Sequence, residues 1–377
     1  MSLTTPAVDS LDATAFTQRA ELAHVSAEES QRVQMARGIA CFLLVAFHVI
    51  GAQATSGLHV ADDSGYRLFT NLLAYVRMPL FTFLSGFVYA YRPVKPGDED
   101  HFAVKKLRRL GIPFLVATTL MYLGHLVAGD RVMPELAEAW RVYVVPIDHL
   151  WFVSSLLGIF GLVIALEAFG ALHTLQRWAV VFAVAVAGYL LIPRAPMDVL
   201  GLNELPYLLP YFLAGLAANR FRAMFFSANC LHVLLALFIV MQAAYSAFVL
   251  THMQGSLDVT VSHTVTGLVI GVAAGICALR WLPRVSVVQS IGTHSYAIYL
   301  YHPVFVAVAR LGLKHMEPPL AAQFWVGMLV GILGPMMLVL AVARIPWAQL
   351  LLVGTSGKLP KPTRAAALPT SQPSRSL

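Results

Sequence analysis

Arg37 and His48 bracket ten residues, Gly38 through Phe47, that are almost all apolar. On an α-helix eleven steps of ~100° make three full turns plus ~20°, so the guanidinium and the imidazole share one face about 16 Å apart. If that helix spans a bilayer, Arg37 sits at one interface and His48 near the middle of the hydrocarbon. An ionisable group at that depth is expensive and marks a functional site by default. A dry imidazole can serve as a general base or carry a group covalently. Taken alone, an arginine at a helix end is as well explained as a topological anchor, and a lone histidine as an interhelical hydrogen-bond partner.

Other polar groups interrupt apolar runs. His302 is expected about one and a half to two turns into its helix, near the depth of His48, with Tyr299 one turn below it. Two such histidines and a tyrosine suggest a shared polar cavity. Arg77 lies inside the apolar run from Tyr75 to Phe87 and needs a counter-charge or a wet cavity. In the same run Pro79 frees a backbone carbonyl and bends the helix, while Ser85-Gly86 lets a neighbouring helix approach closely. Asp148-His149 is an adjacent acid and imidazole at an outer helix mouth, able to bind a sugar hydroxyl or tune a proton transfer. Trp151 beside it fits an aromatic belt, and Glu204 stands at another mouth. Helical spacing puts Lys105, Arg108 and Arg109 on one side of a short helix, a basic surface for anionic lipid or for the phosphates of a nucleotide-like donor. Cys41, Cys230 and Cys277 lie in apolar segments without CxxC spacing or a histidine in ligand register, so neither a disulfide framework nor a metal site is expected.

Composition dictates the elements that carry these groups. Of 377 residues 58% are hydrophobic and 12% charged, against roughly 25% charged in soluble domains. The class is an all-α polytopic membrane bundle, since each spanning helix needs ~20 apolar residues. Ten transmembrane helices are expected, near 34–54, 69–91, 110–128, 149–168, 178–193, 204–220, 231–251, 263–281, 294–311 and 320–343, the fifth and sixth being the least secure. With the N-terminus inside, inner segments hold 19 of the 26 Lys and Arg, which places both termini in the cytoplasm. The net charge of +7 then reflects inner loops facing an anionic leaflet, and nucleic-acid binding is not expected. Residues 1–31 read as a polar N-terminal segment without a cleaved signal peptide, 32–343 as the membrane domain, and 344–377 as a largely disordered cytoplasmic tail.

Read in order, these segments resemble the acyltransferase 3 family, integral membrane enzymes that O-acylate exopolysaccharides, lipopolysaccharide and related glycans. The resemblance rests on Arg37 with His48, on Met78 to Phe87, on Lys105 to Leu110 with Pro113, on His149 to Val153, on Pro210 to Gly215, and on Ile291 to Pro303. Each motif is short, and the ordered set is specific. Thr82 interrupts a run that is all apolar in many members, and the extracytoplasmic hydrolase-like domain of some members has no counterpart. The resemblance implies a cytosolic acyl-coenzyme A donor, acetyl in the first instance, and a hydroxyl of an exopolysaccharide or lipid-linked glycan as acceptor. No tightly bound cofactor is implied. Arg37 would grip the donor's phosphate or pantetheine end, Lys105, Arg108 and Arg109 its adenosine phosphates, and Arg77 or another buried donor would stabilise the oxyanion. Arg77, Ser85, His149, Trp151, Glu204, Tyr299 and His302 would line the acceptor cavity. The setting would be a bacterial inner membrane, with membrane lipid and other polysaccharide-assembly proteins as partners. The rival reading is a proton-coupled transporter or flippase of a lipid-linked sugar, using His48, His302 and Arg77 as a relay.

Overall fold

The stretch that carries Arg37 and His48 contains no proline and folds as one helix, α1, Val8–Ile50. It is described in a computed structural model that covers residues 8–129, 133–252 and 263–355, with side chains from Ala27 onward. After α1 the chain runs through α2 (Gly65–Leu72), α3 (Ala74–Tyr89), α4 (Glu99–Lys106), α5 (Ile112–Ala128), α6 (Arg141–Val144), α7 (Trp151–Ala168) and α8 (Leu175–Leu191). It continues with α9 (Leu205–Arg220), α10 (Arg222–Phe225), α11 (Ala228–His252), α12 (Val265–Trp281), α13 (Ser286–Thr293), α14 (Ser295–Leu313), α15 (Leu320–Val342) and α16 (Pro346–Val353). The described residues contain no strand, as the hydrocarbon setting demands when no sheet is closed into a barrel.

Seven helical stretches are long and apolar enough to cross a membrane, or eight if the bent pair of α2 and α3 counts as one span. The other two of the ten expected spans correspond to α8 and α12, apolar helices of 17 residues each. The 41° bend of the second span falls between Leu72 and Ala74, ahead of Pro79.

α1 is the centre of the bundle. Its apolar part is 67% buried, against 11% for α11 at the periphery. α1 packs against α3, α13, α14 and α15, and α3 in turn against α9 and α12. Missing side chains set the two tightest crossings. A Cβ on Gly38, next to Arg37, would lie 2.0 Å from the Val288 carbonyl oxygen of α13, and one on Gly292 would lie 1.8 Å from that of Gln34 on α1. Gly86 of α3 and Gly215 of α9 make the same reciprocal contact, each 1.9 Å from the carbonyl oxygen of Phe212 or Phe83. Such close approach is how membrane helices gain van der Waals contact where no hydrophobic drive separates them from lipid.

Segment 344–377 begins in a helix: α16 packs on α5, α14 and α15. The disorder expected beyond Lys358 lies outside the described residues.

Candidate active site

Three imidazoles meet beside α1. The His48 ring lies 4.8 Å from that of His302 on α14 and 5.5 Å from that of His149, and the latter two are 5.0 Å apart, centroid to centroid. His302 is fully buried and His149 is 4% exposed, whereas His48 is only partly covered. The pairing expected of His48 and His302 therefore gains a third ring, and the three pack against one another rather than around a cavity. His149 does not stand at an open helix mouth paired with Asp148. The chain enters α7 through a single 3-10 turn with Asp148 in the left-handed region, φ 50°. That turn sends His149 inward, while Asp148 binds His125 at 2.8 Å.

Backbone carbonyls hold the two buried rings. Pro303 has no N–H, so the Tyr299 carbonyl one turn earlier is released from the helix ladder. It accepts from His149 Nε2 at 2.8 Å and from His302 Nδ1 at 3.0 Å; His302 Nδ1 also lies 2.8 Å from the Ile298 carbonyl. The Tyr299 hydroxyl donates to the His149 carbonyl, closing the pair from the other side. A ring nitrogen facing a carbonyl must carry the proton, which assigns the tautomers of both neutral rings. The opposite nitrogens, His149 Nδ1 and His302 Nε2, are left as buried acceptors without a partner. An unmet buried polar atom costs about 1–3 kcal/mol, and here two of them adjoin His48. His48 makes no hydrogen bond among the described residues, so its ring is free to act.

Arg77 approaches from α3. Its guanidinium stacks 3.7 Å from the centre of the Phe47 ring, beside His48. Among the described residues it makes no ion pair. The face of Phe47 stands where a counter-charge was expected, a contact worth about 0.5–2 kcal/mol.

At the other end of the site, Arg37 lines a cavity of about 580 Å³. Arg92, Lys105, Lys106 and Arg109 share its wall, and among the described residues no carboxylate does. Ser85 lines it as well, its hydroxyl donating to the Phe81 carbonyl at 2.8 Å. The lining ends at Phe152, Val153 and Tyr299. Tyr299 is the partition, since its ring lies 5.1 Å from that of His149 and 5.4 Å from that of Phe152.

Three expected site residues stand elsewhere. Arg108 is absent from the cavity wall, which Lys105, Lys106 and Arg109 line. At ~100° per residue those three fall within one arc of about 100° and Arg108 lies about 60° outside it, so the face toward the cavity is the one that includes Lys106. Trp151 touches Phe152 edge-on and is not in the wall of the cationic cavity. Glu204 is held by Arg194 at 2.9 Å, a helix-mouth ion pair. Arg92 was hidden from sequence reasoning because nothing but its charge, in the loop after α3, distinguished it.

A bundle with seven or eight long apolar helices that packs three imidazoles beside a cation-lined cavity is an integral membrane protein with a polar interior. The family model described as an acyltransferase domain matches residues 31–343. The chain therefore belongs to the acyltransferase 3 family and is a membrane acyltransferase. No curated protein and no solved structure matches it.

Proposed function

We propose that this protein is an O-acyltransferase that moves an acyl group, acetyl in the first instance, from cytosolic acyl-coenzyme A to a hydroxyl of an exopolysaccharide or lipid-linked glycan. One observation carries the reading: among the described residues five cationic side chains and no carboxylate line the cavity that ends one ring short of three clustered histidines, two of them buried. Coenzyme A matches both halves, because its phosphates need several cations and its thioester sits at the far end of a thin arm. Arg37, Arg92, Lys105, Lys106 and Arg109 hold the phosphates as charge-assisted contacts. The arm passes Tyr299 and Phe152 to reach His48.

The acceptor hydroxyl then attacks the thioester carbonyl. A carbon–oxygen bond forms, the carbon–sulfur bond breaks, and the proton leaving the hydroxyl passes through His48 to the departing thiolate. His48 is the general base, a role worth about 10²–10⁴ in rate. His149 Nδ1 and His302 Nε2 offer lone pairs to the N–H groups of His48 while it is charged. Arg77 lies beside the developing oxyanion and stabilises it. In this reading the Arg37 end of α1 faces the cytoplasm of a bacterial inner membrane, α8 and α12 cross it as the remaining two of ten spans, and both termini are cytoplasmic.

The test is mass spectrometry of the surface glycan from cells carrying the wild type or His48→Ala at equal protein abundance. Acylation is expected to disappear in the variant. Full acylation by His48→Ala overturns the assignment, and substrate uptake into vesicles without acyl-coenzyme A would favour a transporter.

A further inference from the structure

The matched domain ends at residue 343, yet Val353 and Thr355 stand in the wall of the cationic cavity beside Arg37 and Arg109. They reach it through α16, which packs on α5, α14 and the π turn at Leu107–Gly111. The Tyr301 hydroxyl donates to the Leu352 carbonyl at 2.9 Å, tying α16 to the helix that carries Tyr299 and His302.

The end of α16 is fixed by Gly354. Its φ is 74°, and its N–H bonds the Leu350 carbonyl at 3.1 Å while that of Thr355 reaches Gln349 at 3.4 Å. This left-handed cap favours glycine. Space demands it as well: a Cβ on Gly354 would lie 2.0 Å from the Arg109 carbonyl oxygen and 2.9 Å from its Cα. The C-terminal turn thus presses on the backbone of the π turn that carries Arg109, one of the cavity's cations.

We infer that the Gly354-Thr355 turn, outside the family domain, is a positioning element of the donor site: it holds the Leu107–Gly111 turn in the register that aims Arg109 and its neighbours at the donor's phosphates. The inference rests on the acyl-coenzyme A reading above. Gly354 acts through Arg109, so its loss should weaken phosphate recognition and spare the chemistry beyond Tyr299.

The experiment uses the full chain in lipid nanodiscs, comparing coenzyme A with an acyl-pantetheine donor that lacks the nucleotide. Gly354→Ala is expected to weaken coenzyme A binding about tenfold, the equivalent of ~1.4 kcal/mol. It should leave kcat at saturating acyl-coenzyme A and the KM for acyl-pantetheine unchanged. Coenzyme A affinity within about twofold of wild type, or an equal loss with both donors, overturns the inference. Should Gly354→Ala fail to accumulate, hydrogen exchange on the wild type decides instead. Coenzyme A is expected to slow exchange at residues 350–355, and no slowing there overturns the proposal. A wild type that binds no coenzyme A defeats the functional reading itself, an outcome distinct from failure of the variant alone.

Discussion

Ten residues separate two kinds of polar site on α1. At Arg37 the groups are cations around an open cavity, with no acid among its lining residues. At His48 they are imidazoles packed ring to ring, two of them buried and tied to one carbonyl. Recognition of a polyanion tolerates and uses water, because long flexible cations can adapt to phosphates while their unmatched charge stays hydrated. Proton transfer needs the opposite, a dry place where each lone pair has a fixed direction. One helix serves both because its two sites have different surroundings, a cation-lined cavity at Arg37 and packed rings at His48.

That contrast can be broken at either end, and the effects should fall in a definite order. His48→Ala removes the base and is expected to lower kcat by about 10²–10⁴ with little change in donor KM, measured in nanodiscs with a soluble acceptor. Pro303→Ala comes next. It restores an N–H that can recapture the Tyr299 carbonyl, loosening His149 and His302 together, and kcat should fall about tenfold at unchanged donor KM. Arg37→Ala should do the reverse, raising donor KM about tenfold while kcat at saturation holds. Arg108→Ala should change neither by more than about twofold, since the side chain lies outside the cavity. If Arg108→Ala matched Arg37→Ala, the face assigned to the cavity would be wrong.

How much of this was legible in the sequence depends on whether the governing periodicity is local. The shared face of Arg37 and His48 follows from the helical repeat alone, and α1 runs unbroken through both. His302 and Tyr299 could be placed for the same reason. The inward turn of His149 could not, because a left-handed residue and a 3-10 turn set its direction, and neither leaves a pattern in an apolar stretch. Arg108 falls outside the cavity wall because the helical repeat alone leaves two flanks open to Lys105 and Arg109, one with Arg108 and one with Lys106, and only the tertiary fold selects the second. Pro303 was a signal in plain view: a proline one turn after Tyr299 announces a free carbonyl. Only the tertiary fold says which donors claim it. The span count behaves differently: α8 and α12 read as spans in the sequence, yet their helices are only 17 residues each.

The Tyr299 carbonyl has one further consequence. A single oxygen takes bonds from two rings on different helices, so neither ring can be re-aimed without disturbing the other. Sliding or tilting α14 would swing the pair as one hinge-pinned unit. Anyone seeking to redesign the catalytic pocket for a bulkier group would have to move both rings at once, or supply a second anchor first.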